Sequence, residues 1–189
     1  MPLVGQFGSL AGLGSLILPG GAMESIATVT VGSGGASSIE FTSIPGTYQH
    51  LQIRGVLRGT AAATNRSLYW TVNGSGGTNY ASHYLYGDGA AAAAVGASSN
   101  PDAYVGDIPA ATASASIFGA CVIDLLDYAS TSKTKTVRAM VGGDRNGGGR
   151  ITLASGLWNS TSAVTSFKII LSTDNFAQHS TLALYGIRS

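Results

Sequence analysis

The chain has 189 residues, the length of one domain or of one domain with an extension. Only 10% of the residues are charged, the formal net charge is +1, and no run of Lys and Arg occurs, so we expect no nucleic-acid partner. The single cysteine, Cys121, excludes an intrachain disulfide, and no apolar run is long enough for a transmembrane helix, so we expect no membrane partner.

The first predicted element is residues 1–22, which are apolar, glycine-rich and uncharged. The glycines disfavour a helix, and the segment has no period-two pattern of any length. Because a free apolar arm is unfavourable in water, we predict an extended arm that docks into a groove on a partner. The alternative is a segment that folds back on its own domain. The predicted docking residues are Leu3, Val4, Phe7, Leu10, Leu13, Leu16, Ile17 and Leu18.

The next part of the chain alternates between strand-like runs and glycine-rich turns. Predicted strands cover residues 24–31, 38–42, 50–58, 67–73 and 80–86. A Pro-Gly turn precedes the longest alternating run, since proline removes a ladder donor and glycine allows a tight turn. In that run we expect one face to be buried and the other to be wet or at an interface. The buried face has Leu51, Ile53, Gly55 and Leu57, and the other has His50, Gln52, Arg54 and Arg58.

The second half of the chain continues the same pattern. Residues 87–100 contain a short alanine run between Gly and Ser residues, which predicts a loop with at most one helical turn. Residues 116–128 have apolar side chains at both odd and even positions, and therefore on both sides of a strand, which predicts a central strand covered on both sides. Further strands are predicted at residues 103–108, 135–141, 150–158, 163–172 and 181–187.

Many short strands, glycine-rich turns and no convincing helix predict an all-β fold. We favour a jelly-roll-like antiparallel β-sandwich over residues 23–189, preceded by the arm of residues 1–22. No internal repeat of fixed period is visible, which argues against propellers and solenoids.

The sequence shows no compact catalytic or metal-ligand motif. His50, His83 and His179 are far apart, without the tight ligand spacing of a metal site. No Gly-x-Ser-x-Gly elbow is present, and Asp124 and Asp127 would point to opposite faces of a regular strand. We therefore expect a protein that is not an enzyme and that has no metal and no cofactor, with a small hydrolase as a weaker alternative.

Aromatic residues are the remaining candidates for a binding role. Sugar-binding sandwiches stack such rings against a sugar and use nearby polar side chains as hydrogen-bond partners. The alternative is that these rings fill the core or a subunit contact. The possible glycan-binding residues are Tyr80, His83, Tyr84 and Tyr86.

Three separated segments resemble patterns that recur in virion structural proteins of tailed bacteriophages. They are Ile44-Pro-Gly-Thr-Tyr-Gln-His-Leu-Gln-Ile-Arg54, Ser155-Gly-Leu-Trp-Asn-Ser-Thr161, and Asn175-Phe-Ala-Gln-His-Ser-Thr-Leu-Ala-Leu-Tyr-Gly-Ile187. Together they cover most of residues 38–189 and do not include the arm; in the third, the family commonly has Gly where this chain has His179. Proteins of this kind are non-enzymatic shell, fibre or tail components, usually β-rich and often trimeric.

The resemblance implies a structural protein located in the virion, as a capsid decoration, head-fibre or tail-fibre component. It also implies a homo-oligomer, with a trimer favoured, whose other partners are capsid or tail proteins. The alternative function is a carbohydrate-binding module that recognises host-surface glycans. The two functions are compatible if the displayed domain touches those glycans.

Overall fold

The computed structural model of the chain describes residues 21–188, which contain twelve strands and no helix. The eight predicted docking residues of the arm, from Leu3 to Leu18, lie outside the described residues. No helix of the described part is long and apolar enough to span a membrane. The strands are β1 (Met23–Thr30), β2 (Ser38–Phe41), β3 (His50–Leu57), β4 (Asn65–Val72), β5 (Tyr80–Gly87), β6 (Ala92–Asn100), β7 (Ala103–Pro109), β8 (Gly119–Leu126), β9 (Lys135–Asp144), β10 (Gly149–Trp158), β11 (Phe167–Leu171) and β12 (Thr181–Ile187).

The strands form two antiparallel sheets. The large sheet has eight strands in the order β1-β12-β3-β8-β9-β10-β5-β6, and the small sheet has four in the order β2-β11-β4-β7. The predicted all-β antiparallel sandwich is therefore confirmed, and its jelly-roll form stays a prediction. Because the large sheet has twice as many strands, the small sheet cannot cover all of its inner side.

The core lies between the two sheets and confirms that Leu51, Ile53 and Leu57 of β3 are on its buried face. All three are fully buried on the large sheet. On the small sheet, the Trp70 ring stacks on Phe167 with 5.6 Å between centroids and meets Tyr80 edge-on at 5.3 Å. Period-two alternation with one apolar face thus identifies the core side of β3 correctly.

The first part of strand β10 departs from this rule, because its larger apolar residues face away from the core. Ile151 and Leu153 are exposed, and the inner side has the smaller Thr152, Ala154 and Gly156 before the buried Trp158. A Cβ atom on Gly156 would lie 2.9 Å from Nε1 of Trp70. Close approach of the large indole therefore requires a small residue on this side of β10.

The predicted loop at residues 87–100 is wrong, because most of it is strand β6, which pairs with β5. Between the two strands, the Asp88 carboxylate accepts hydrogen bonds from the backbone N–H groups of Ala90 and Ala91. This local capping closes a hairpin. The short alanine run has helix propensity, but pairing with a neighbouring strand overrides it.

Two predictions about the outward sides of β3 and β8 also need correction. Strand β8 is central in its sheet, as predicted, yet Leu126 is 41% exposed, so the described residues cover only one side. Gln52 was expected to be wet or at an interface, but it is only 9% exposed within its own chain. Its side chain bonds to both Arg54 and Asp124, and these long neighbours cover it.

Candidate functional site: an apolar sheet face and a polar cleft

The large sheet has an outer face, which we define as the side turned away from the small sheet. Strand register brings outward residues of seven strands into one row across this face. The row consists of Ala183, Arg54, Val122, Met140, Leu153, Leu85 and Ala94. Met140, Leu153 and Leu85 are about half exposed, and Val56 and Ile151 lie in the next row and are exposed too. The result is a broad apolar surface.

Polar side chains on the outer face form a network around Asp124. Arg138 donates a hydrogen bond from Nη2 to Oδ2 of Asp124 over 2.9 Å, and Gln52 donates to the other carboxylate oxygen over 2.6 Å. Beside this network, Leu85, Leu126 and Leu153 contribute to a shallow groove of about 700 Å³. The groove is mostly apolar, and exposed patches of this kind mark contact surfaces.

Strand β6 is the edge of the large sheet next to this groove. Nearly all of its residues are exposed, and its sequence Ala92-Ala-Ala-Val-Gly-Ala-Ser-Ser-Asn100 has no charge and no proline. Edge strands of soluble proteins usually carry Lys, Pro or bulges that prevent pairing with another chain. A bulge occurs only near the end of β6, so the run from Ala92 to Ala97 can accept a further strand.

A polar cleft of about 590 Å³ lies where β5, β6 and β10 of the large sheet meet the small sheet. The small sheet supplies Ser67, Tyr69, Tyr104 and Asp107, and β11 adds the wall near Ile170. The large sheet supplies Ser82, Tyr84, Ala97, Asn100 and Arg150, and Asp102 stands in the turn between β6 and β7. The cleft therefore combines aromatic rings, hydroxyls, an amide and charged groups.

An ion pair fixes one side of the polar cleft. Nη1 of Arg150 lies 2.7 Å from Oδ2 of the buried Asp107, and the Ser67 hydroxyl donates to Oδ1 over 2.8 Å. The Arg150 guanidinium also lies over the Tyr86 ring, 3.5 Å from its centroid. Buried charges need such partners, so this pair is held in place and compensated.

Three tyrosines form the aromatic wall of the polar cleft. The Tyr104 ring is 4.1 Å from the Tyr84 ring and 5.7 Å from the Tyr69 ring, measured between centroids. Burial raises the pKa of all three, so they are neutral hydroxyl groups at physiological pH. Tyr104 is 7% exposed, and its buried hydroxyl makes no well-aligned hydrogen bond among residues 21–188, although the Thr152 hydroxyl is close enough to oppose the rise of its pKa. Tyr104 therefore supports the wall from inside, whereas Tyr69 and Tyr84 are partly exposed in the cleft.

Asp102 is the uncompensated charge of the polar cleft. Its side chain is partly buried and makes no ion pair or hydrogen bond with any residue in the described range. Burial raises the pKa of this carboxyl, since desolvation disfavours its charged form. The Asp107 carboxylate is paired with Arg150, whereas the Asp102 carboxylate is available to a ligand.

The structure separates the four predicted glycan-binding residues. Tyr84 lines the polar cleft, and Tyr86 stands beside it under Arg150. Tyr80 is 1% exposed, and its hydroxyl accepts a hydrogen bond from the Val72 backbone, so it is a core residue. His83 lies on the outer face, because its parity in β5 is opposite to that of the tyrosines.

Sequence reasoning missed four residues of the cleft: Tyr69, Asp102, Tyr104 and Arg150. Tyr69 alternates with the buried Leu68 and Trp70, which could have shown that its ring lies on the far side of the small sheet. The remaining three come from separate strands or a turn. Only the fold brings them together.

The other reactive side chains are dispersed. Within residues 21–188, no three His, Cys, Asp or Glu side chains form a group that could hold a metal ion. His50 accepts a hydrogen bond from the Asp127 backbone at the end of β8, far along the chain from His83 and His179. Cys121 is a buried free thiol, and burial raises its pKa to about 12.

No family model, no curated protein and no solved structure matches this chain. The fold and the two surfaces define it as an all-β antiparallel sandwich that has an apolar sheet face and a polar, aromatic cleft.

Proposed function

We propose that this chain is a non-enzymatic structural subunit of a tailed-phage virion, attached to the capsid or tail by residues 1–22. The three resembling segments support this role, and two of them include part of β3 and all of its neighbour β12. The observation that carries the proposal is the outer face, where Leu85, Met140 and Leu153 are exposed in one row. Such a surface suits a subunit that is covered in an assembly.

The subunit forms a homo-oligomer, and we favour a trimer. The outer face and the uncharged edge β6 are continuous, because the apolar row ends at Ala94 of β6. Contact between copies would bury both at once. Light scattering of the full chain at micromolar concentration tests this proposal, and we expect the mass of three chains.

A pair of variants locates the contact. Leu85→Lys combined with Leu153→Lys places two charges in the apolar row without touching the core, and we expect a monomer that keeps its β-sheet circular dichroism spectrum. Ser162→Lys combined with Thr173→Lys adds the same charge in exposed loops and should leave the oligomer intact. A wild-type monomer, or an oligomer that survives the first pair, contradicts the proposed contact.

The arm is proposed to bind a virion protein and to contribute little to folding of the sandwich. Burial of several of its apolar residues gives a favourable free energy of roughly 25 cal/mol per Å². Ordering its backbone opposes this by about 1–2 kcal/mol per residue, so several arms in one oligomer would bind together. Deletion of residues 1–22 should leave the thermal midpoint nearly unchanged and abolish incorporation into particles. Unfolding of the truncated chain would show that the arm belongs to the core.

The absence of enzymatic activity is also a proposal. The three histidines are the residues of this chain best suited to acid–base chemistry near neutral pH, and they do not share a site with one another. If a hydrolytic turnover is found, and His50→Ala or His83→Ala abolishes it while the fold is intact, the proposal is wrong.

A carbohydrate-binding module is the second candidate function. The observation that favours it is the polar cleft, in which Tyr84 stands beside Asn100 and Asp102. Aromatic rings with adjacent hydrogen-bonding groups are suited to a sugar, which has both an apolar ring face and hydroxyl groups. A glycan array probed with the full-length protein tests this function, and it is compatible with the structural role.

A further inference from the structure

We propose that the polar cleft binds an uncharged saccharide, which lies against the tyrosine wall and donates hydroxyl hydrogen bonds to Asp102. This inference deepens the second candidate function and rests on it. It moves the binding site away from Tyr80 and His83, and it names Tyr69 and Asp102 as binding residues.

The dimensions of the cleft suit a small ligand. Its volume of about 590 Å³ lies within the roughly 300–1,000 Å³ of typical small-molecule sites. Walls from two sheets and a turn enclose it, so its shape is set by strands and not by a long loop. A site of this size accommodates one or two sugar rings and excludes a folded protein partner.

The polar groups of the cleft match the hydrogen-bonding capacity of a sugar. Asp102 can accept hydrogen bonds from two hydroxyls, and Asn100 can both donate and accept. The Tyr104 ring contacts the Tyr69 and Tyr84 rings and so fixes the aromatic wall, while its own hydroxyl is too buried to reach a ligand. The aromatic wall offers rings to the C–H face of the sugar.

The charges of the cleft select against ionised ligands. Arg150 is already paired with Asp107, which leaves the Asp102 carboxylate to repel an anionic sugar. A cationic ligand would have to lose its hydration to reach the partly buried Asp102, and the Tyr86 face that could stabilise it is occupied by the Arg150 guanidinium. An uncharged polyol avoids the repulsion of an anion and the loss of hydration of a cation, and its hydroxyls still bond to the carboxylate.

The test is a titration of the full-length protein with the methyl glycosides of glucose, galactose, mannose and N-acetylglucosamine, followed by NMR and calorimetry. Glucosamine and glucuronate serve as the cationic and anionic test ligands. We expect at least one uncharged glycoside to saturate the protein, with both charged sugars binding more weakly.

Two variants place the bound sugar in the cleft. Asp102→Asn removes the charged acceptor and should weaken binding about tenfold, which corresponds to one charge-assisted hydrogen bond. Tyr69→Ala removes part of the aromatic wall and should weaken it by a similar factor. The matched controls are Asp88→Asn, in the exposed β5–β6 turn, and Tyr185→Ala, on the outer side of β12; both should bind as the wild type does.

Three results would overturn the proposal. Failure of every uncharged glycoside to saturate the protein would show that the cleft does not bind sugars. Tighter binding of glucosamine than of methyl glucoside would identify a cation site. Equal affinities for the Asp102 and Asp88 variants would place any sugar elsewhere. Particle incorporation and oligomer mass are measured separately, so none of these results bears on the structural role.

Discussion

The inner and outer faces of the large sheet are both rich in apolar residues, but only one of them is the core. Neighbouring residues of β8 show the contrast: Leu125 is fully buried against the small sheet, and Leu126 is 41% exposed on the other side. Both are leucines in the same strand with the same hydrogen-bonded backbone. The difference is therefore the presence or absence of a covering layer.

This comparison gives the largest expected effect on stability. Leu125→Ala should lower the free energy of unfolding by about 2–5 kcal/mol, because it removes buried methyl groups and leaves a cavity. Leu126→Ala should lower it by less than about 1 kcal/mol. Urea unfolding measures both, in the background of Leu85→Lys with Leu153→Lys so that contacts between copies do not contribute.

The Leu125→Ala and Leu126→Ala variants can also contradict this interpretation of the two faces. Equal losses of stability in that background would mean that Leu126 is covered within its own chain. A loss for Leu126→Ala that appears only in the oligomeric wild-type background would instead support the outer face as the contact between copies.

The inner face also contains a charged group, and its replacement should cause the next largest loss of stability. Lys135 is fully buried, and its ammonium donates hydrogen bonds to the carbonyls of Ser130, Lys133 and Thr161 over 2.7, 2.6 and 3.2 Å. Lys135→Met keeps the length of the side chain but leaves these carbonyls without that donor. We expect a loss of about 1–3 kcal/mol in urea unfolding.

Lys133 provides the control for this prediction, since it is two residues away and exposed. Its ammonium pairs with the Asp127 carboxylate at the surface, so Lys133→Met should cost less than about 1 kcal/mol. If Lys135→Met were as stable as the wild type, the three hydrogen bonds to carbonyls would contribute little to stability, and the Lys135 side chain would only fill space in the core.

The sequence predicted the strands better than it predicted their surroundings. Period two is a local property, so the buried faces of β3, β4 and β11 could be predicted from residues such as Ile53 and Trp70. The same pattern in β10 describes an exposed face, because alternation does not reveal which side a second sheet covers. The large Trp70 ring, from a different sheet, decides that Gly156 faces inward.

The candidate site was less accessible to sequence reasoning than the fold. Tyr84 and Tyr86 were found because they crowd one strand, and the same proximity wrongly grouped them with His83, which points to the opposite face. Asp102 and Arg150 are almost fifty residues apart and line the same cleft only because β10 pairs with β5, next to β6. The alanine run at β6 concealed the strand that completes this side of the cleft.

Asp102 lies in the polar cleft and not on either sheet face, and we expect its replacement to cause the smallest change in stability. The change is specific, because it depends on pH. Burial raises the pKa of its carboxyl above the ordinary value of 3.8, so the folded state binds the proton more tightly than the unfolded state does. The ionised form therefore costs stability, and this cost appears as the pH rises through the raised pKa. Asp102→Asn should increase the thermal midpoint near neutral pH and have no effect below the ordinary pKa, where both states are protonated.

Asp88 should respond with the opposite sign, which makes the pair of measurements decisive. The backbone N–H groups of Ala91 and Ala90 lower the pKa of the Asp88 carboxyl, so its charged form is favoured in the folded state. Its contribution is present above the ordinary pKa and is lost as the pH falls through the lowered one. Asp88→Asn should therefore decrease the thermal midpoint near neutral pH. If both variants shift the midpoint in the same direction, burial of Asp102 is not the cause, and the carboxylate is not held uncompensated in the cleft for a ligand to bind.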